Sequence, residues 1–397
     1  MSVPVTVRYA LGDAGPAVAE IRSRLELLDL LGRPGPGAGV TRSGSGLDRF
    51  DDGVEQAVRT FQQQQGLVCD GVVGPQTWRR LEEARWRLGD RVLLHSVSHP
   101  PTGDDVSALQ QRLLELGFDP GRVDGIFGTN TDRALREFQR NVGLADDGTC
   151  GPATFKALAR LARTVVGGAP HTMREQERIR SAGPGLAGKV VVIDAGHGGA
   201  DLGITGNGLT EAHVAEDLAA RIEGRLAAVG VRAYLTRGRL AGTQAPPDDD
   251  ARARFANQAD ADLVVSLHVD GHVNPSAQGV ATVFYGTTGG AARSPTGEAF
   301  ARLVQREVTA RTDLVDCGVD GKTWDLLRRT RMPAVRIEVG YLTNPHDAAR
   351  LSDPAFRDVL AEAVAVAVQR LYLPPDTDAP TGVLRLPAAA SSASTAR

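Results

Sequence analysis

The sequence is poor in cysteine, in lysine and in long apolar runs. Three cysteines, Cys69, Cys150 and Cys317, are spread over 397 residues. An odd, sparse set makes no disulfide framework, matches no zinc-ribbon spacing, and fits free thiols in a reducing compartment. No stretch approaches 18 consecutive apolar residues, which excludes a transmembrane helix. The opening residues MSVPVTVRYALGDAG hold no basic n-region, no apolar core and no small-residue cleavage site. The expectation is therefore a cytoplasmic chain without a secretory signal; an unrecognised export route or a start codon further upstream is the alternative. Excess positive charge is also missing. The net charge is −3, so the chain lacks what a nucleic-acid binder sets against phosphates. Lysine occurs only at Lys156, Lys189 and Lys322, and no function is read from that bias.

What is present is an ordinary globular composition. Hydrophobic residues make up 42% and charged residues 23%, which excludes a wholly disordered, collagenous or coiled-coil protein. A chain of 397 residues is too long for one core and implies about two to three domains.

Self-comparison reveals a repeat. FQQQQGLVCDGVVGPQTWRRL (61–81) aligns with FQRNVGLADDGTCGPATFKAL (138–158) at an offset of 77. Upstream, Val18, Ile21, Arg24 and Leu25 align with Val106, Leu109, Arg112 and Leu113 at an offset of 88. The difference is an insertion in the first copy, in the loop-forming stretch GRPGPGAGVTRSGSG. Val106, Leu109, Leu113 and Leu116 form an amphipathic stripe. Pro75 and Pro152 stand where a third helix can begin, so each copy reads as helix, loop, helix, turn, helix. This unit resembles the small three-helix peptidoglycan-binding domain, over residues 10–85 and 98–163. The second copy carries the V-D-G-I-F-G of that family at 123–128; the first reads G-L-D-R-F-D there.

Residues 164–186 read as a linker. Beyond them the pattern changes to strands alternating with helices. Strands are expected at 189–194, 231–237, 261–269, 279–286 and 334–342, and helices at 211–230, 252–259, 297–312 and 355–372. The expected fold is thus multidomain: two small all-α three-helix domains, then an α/β domain (187–373) with one central sheet and helices on both faces. The segment 374–397, rich in Pro, Ala, Ser and Thr, is expected to be a disordered tail. Thr377, flanked by Asp376 and Asp378, and Thr381 are candidate phosphorylation sites within it.

The chemistry gathers at strand ends. Strand 189–194 runs into D-A-G-H-G-G and presents His197, and strand 261–267 ends in S-L-H at His268. Glu211 opens the long helix, and Glu338 lies in R-I-E-V-G-Y. Ligands collect at the carboxyl edge of such sheets. Two histidines and a carboxylate with an open position make a catalytic zinc set. A further carboxylate can take a proton from water and pass it to a leaving nitrogen. Taken singly each residue has a plainer role: Glu211 could offset a helix dipole, and Glu338 could pair with a neighbouring arginine.

Taken together, DAGHGG, the G-x-x-E before the helix, YLTR, SLH and RTRMPAVRIEVGYLTNP resemble the zinc-dependent N-acetylmuramoyl-L-alanine amidases with a single α/β catalytic domain. The resemblance implies Zn2+ on His197, Glu211 and His268, with Glu338 as the catalytic base and then acid. It implies hydrolysis of the amide joining N-acetylmuramic acid to L-alanine in peptidoglycan or its precursors. One position departs: Asp270 stands where that family usually has asparagine. His213 and His272 read as surface residues, and Arg254 and Asn257 as structural ones. The missing signal also resembles the CwlM-type actinobacterial homologues. That likeness implies a cytoplasmic, non-hydrolytic regulator of precursor synthesis that binds a biosynthetic enzyme. Amidase and regulator both remain open at this point.

Overall fold

Proline at the first helical position starts half the helices of the two repeats, because its fixed φ suits that position and its missing N–H is not needed there. A computed structural model describes residues 8–31, 48–161, 170–238, 245–287 and 293–373. The insertion loop, residues 164–169 of the linker, and the tail with Thr377 and Thr381 lie outside the described residues. The chain divides into two units. The first holds residues 1–173 with 285–294 and 321–329; the second holds 174–284, 295–320 and 330–397.

In the first unit, α1 (Pro16–Leu27), α2 (Asp52–Gln64) and α3 (Pro75–Ala84) form one repeat. They close over Ile21, Leu25, Phe50, Phe61 and Leu81. After β1 (Leu93–Leu94), the helices α4 (Asp104–Glu115) and α5 (Thr129–Asn141), strand β2 (Thr149–Cys150) and helix α6 (Pro152–Arg160) form the other. Its core is Leu109, Leu113, Phe127, Leu135, Phe138 and Leu158.

One turn recurs three times in this unit. In each case a buried glutamine accepts from a glycine N–H and donates to an aspartate, a carbonyl and a threonine. Gln62 serves Gly71, Asp70, Val72 and Thr77. Gln110 serves Gly125, Asp124, Ile126 and Thr131. Gln139 serves Gly148, Asp147, Thr149 and Thr154. The first repeat lacks a fourth copy because Arg22 replaces the glutamine, reaching Arg49 O and Asp51 instead. This is the physical content of its departing G-L-D-R-F-D loop.

Helix α7 (Pro170–Ser181) precedes the α/β region. There β3 (Val190–Ala195), β4 (Thr205–Gly206), β5 (Leu209–Thr210), α8 (Glu211–Ala228), β6 (Arg232–Leu235), α9 (Asp249–Gln258), β7 (Leu263–Asp270) and β8 (Val280–Tyr285) follow in order. After them come α10 (Pro295–Arg311), β9 (Asp316–Lys322), α11 (Asp325–Arg329), β10 (Ala334–Tyr341), α12 (Pro345–Ser352) and α13 (Pro354–Tyr372). The sheet has the order β6-β3-β7-β10-β8-β9 and is mixed: β3, β6, β7 and β10 run parallel, and β8 pairs antiparallel with β10. Val191, Ile193, Val265, Leu267, Val335 and Ile337 face a layer of α8, α10 and α13. The period of two puts Asp194, Ser266, His268, Arg336 and Glu338 on the opposite face, where α9 reaches Asp194 through Arg252.

The first unit is clasped by a buried ion pair. Glu83 Oε2 lies 2.7 Å from Arg328 Nη1, with the two side chains 3% and 4% exposed. Arg328 Nε also donates to Asp124 O at 2.6 Å, so one guanidinium joins both repeats. Burial alone would push the Glu83 carboxyl up, but Arg328 and Arg80 pull it down to about 2. Its contribution to stability is full above the unfolded value of 4.5 and is lost as pH falls toward 2. Glu83→Gln should cost about 3 kcal/mol at neutral pH, because it leaves Arg328 buried without its counter-charge. Denaturant melts should show the deficit shrinking below about pH 4, and a deficit constant down to about pH 2.5 would refute this account.

Candidate metal centre

The end of β3 passes directly beneath the imidazole of His268, so that a Cβ at Gly196 would collide with that ring. The next residue, His197, adopts a left-handed backbone with φ of 55°, a conformation a non-glycine residue keeps only when its surroundings impose it. Two buried arginines do so. Arg237 donates to Ala195 O and Gly196 O at 3.0 and 3.1 Å, and Arg252 donates to Ala195 O and His197 O at 2.8 and 3.3 Å. Asp194 anchors Arg252 at 2.6 Å and accepts from Thr236 and Ser266, also at 2.6 Å.

Glu211 is the first residue of α8, capped by Thr210, whose Oγ1 accepts from His213 N. It is 2% exposed. Its Oε2 lies 3.2 Å from His197 Nε2 and accepts from Ile204 N at 2.9 Å. Its Oε1 lies 2.8 Å from His268 Nδ1 and accepts from Val269 N at 3.2 Å. Burial by itself would raise its pKa, but the hydrogen bonds from His197 and His268 hold it well below the usual carboxylate range. The two imidazoles meet edge to face, with centroids 5.3 Å apart.

One ligand atom from each of His197, Glu211 and His268 can be chosen so that all lie within 4.8 Å of one another. Among the described residues this is the one group of three or more His, Cys, Asp or Glu side chains that converges in this way. Asp201, not foreseen from sequence, supports it: its Oδ2 engages His197 Nδ1 at 2.8 Å. That fixes the ring and turns Nε2 inward, as outer carboxylates do for metal-binding histidines. The donor set and its support fit a zinc-sized cation. The aspartate four residues after His197 was the available signal.

Glu338 sits on β10 at the position paired with His268 on β7, and is 8% exposed. The ladder shifts register just after it, between Glu338 and Tyr341. Arg336 Nε donates to Glu338 Oε1 at 2.6 Å. Asp270 is close enough to feel the Glu338 charge, and its carboxyl is pushed up, first by burial and then by that charge. Among the described residues no other histidine joins this group. His213 and His272 are exposed, and His272 Nδ1 accepts from Asn274 N. Arg254 pairs with Asp250, and Asn257 accepts from Arg331 N, both structural roles.

Residues 191–370 match the N-acetylmuramoyl-L-alanine amidase family, and residues 14–81 and 102–158 match the peptidoglycan binding domain family. The chain is 47% identical over 375 residues to N-acetylmuramoyl-L-alanine amidase CwlM of Mycobacterium tuberculosis, covering 94% of this chain and 91% of that protein. It is 32% identical over 179 residues to N-acetylmuramoyl-L-alanine amidase LytC of Bacillus subtilis, covering 45% of this chain and 34% of that one. Among solved structures, N-acetylmuramoyl-L-alanine amidase AmiC2 of Nostoc punctiforme aligns with 29% identity and a TM-score of 0.42, over 46% of this chain and 97% of that chain.

Gly203 offers a steric test of the cluster. Its φ is +63°, and a Cβ there would sit 2.5 Å from Glu211 Oε2 and 2.8 Å from the His197 ring. Gly208 has a similar φ of +80° but open space around it. Both alanine variants bear the same backbone penalty, about 1 kcal/mol. Gly203→Ala alone should weaken zinc affinity, by about tenfold or more, in competition with a chromogenic chelator. Equal affinities for the two variants would contradict the geometry.

Proposed function

Because the chain belongs to the N-acetylmuramoyl-L-alanine amidase family, we propose that it is a zinc hydrolase cutting the amide between the lactyl group of N-acetylmuramic acid and L-alanine. The observation that carries this reading is the convergence of His197, Glu211 and His268 one strand away from Glu338. His197, Glu211 and His268 are the ligands in this reading, and zinc supplies a Lewis acid that activates water and polarises the scissile carbonyl. Glu338 is not a ligand. Its carboxylate takes the proton of the attacking water and delivers it to the departing nitrogen of L-alanine. Arg237 and Arg252 hold the backbone that presents His197. The two helical repeats match a wall-binding family, and we assign them to holding the glycan-peptide substrate. The modules in this assignment are 10–85, 98–163 and 187–373.

A second reading is favoured by Asp270, an acidic group beside Glu338 where the resembling amidases usually have asparagine. In it the chain is a cytoplasmic regulator that binds precursors and a biosynthetic enzyme without cutting. Incubating the zinc-loaded protein with purified peptidoglycan and with soluble muropeptide precursor, followed by mass spectrometry, separates the two. Release of free stem peptide supports hydrolysis, and intact substrate that nevertheless co-purifies with the protein supports the regulator.

The two classes of residue should separate cleanly. His197→Ala and His268→Ala should lose zinc on dialysis, since three ligands leave little to spare. Glu338→Gln should keep its zinc, measured by elemental analysis, while hydrolysis falls by about 100-fold or more. Full zinc in both histidine variants, or an active Glu338→Gln, would remove the corresponding assignment.

A further inference from the structure

The alternation V-R-I-E-V along β10 puts Arg336 and Glu338 on one face of the sheet, two residues apart. A charged pair on an inner strand is costly unless each charge offsets the other. Here the Arg336 Nε lies 2.6 Å from Glu338 Oε1, and the side chains are only 25% and 10% exposed. Arg336 stands beside Ser266 on β7 and Val283 on β8, and Glu338 beside His268 and Ala281. Neither Val283 nor Ala281 can hydrogen-bond a carboxylate through its side chain. Meanwhile Asp270 presents a like charge to Glu338, and like charges repel strongly where solvent screening is weak. A carboxylate so placed has reason to rotate away unless something holds it.

We infer that Arg336 is a positioning residue for Glu338: by fixing Oε1 it restricts the carboxylate to one rotation and so sets where the second oxygen points. The proposal rests on the reading of Glu338 as the proton carrier. Proton transfer is sensitive to placement on the scale of an ångström, so a cation gripping one oxygen controls the rate without touching substrate. Arginine suits this role because its charge is permanent and its planar N–H groups have a fixed direction.

The test uses the full chain loaded with zinc and muramoyl-peptide fragments as substrate, with R336L, R336K, E338Q and the double variant R336L/E338Q. R336L should lower kcat by about 10- to 100-fold and leave KM within about twofold. R336K should recover part of the loss. Adding R336L to E338Q should cause no further loss, because Arg336 acts only through that carboxylate. An unchanged kcat, or an equal loss in both backgrounds, overturns the proposal. A fully active E338Q instead overturns the proton-carrier reading. A crystal structure of zinc-loaded R336L, or of R336Q should R336L fail to fold, gives a readout independent of turnover. The Glu338 carboxylate should leave its place beside His268, and an unmoved carboxylate overturns the positioning role even if the wild type hydrolyses nothing.

Discussion

The α/β unit is organised around one buried carboxylate. Glu211 is 2% exposed, and an ionised group at that depth is costly unless its lone pairs find partners. His197, His268, Ile204 N and Val269 N occupy them. Those partners come from three separate stretches of chain: the loop after β3, the segment leading to the β4–β5 hairpin, and the end of β7. The N-terminus of α8 adds its own partial positive charge. None of these pieces can settle in a different register without stranding Glu211, so building the core and assembling the site are one event.

The first unit buries a carboxylate as well, with a different outcome. Glu83 is held through one oxygen, Oε2, by Arg328 and Arg80. A guanidinium has no lone pair to offer and never gives up its charge. The Glu83 pair is therefore a permanent clasp between repeats. Around Glu211 the partners are imidazoles, which can release a proton and turn a nitrogen toward a cation. The same electrostatic demand yields a structural joint in one case and a group able to hold a metal ion in the other, and the difference lies in the partner's chemistry.

Much of this architecture could be read from sequence, for identifiable reasons. The apolar run V-V-V-I of β3 is continuous because both faces of that strand are covered, and the stripes of the repeats follow helical spacing. Glycines around His197 marked a backbone with unusual turns. What escaped was built from weak signals. β9 reads DCGVDGK and is half exposed along its length, so neither alternation nor a β-branched run betrayed it. α11 and α12 are short, 5 and 8 residues, below the length at which periodicity speaks. Strand order has no local signature at all. Arg237 and Arg252 act on the site through backbone carbonyls, and a single sequence gives no sign of such indirect duty.

The glutamine turns carry a lesson about substitution. Each of Gln62, Gln110 and Gln139 is 1% exposed and uses both ends of its amide: the oxygen toward a glycine N–H, the nitrogen toward an aspartate oxygen, a carbonyl and a threonine. Glutamate has almost the same size and shape. It would satisfy the glycine and then confront three oxygens with a fourth. Hydrolytic loss of the amide, a slow reaction of ageing proteins, would therefore convert a closed ring of donors and acceptors into a crowd of acceptors without moving an atom. What these positions tolerate is set by the count of hydrogens and not by volume, and a comparison of residues by size alone would miss it.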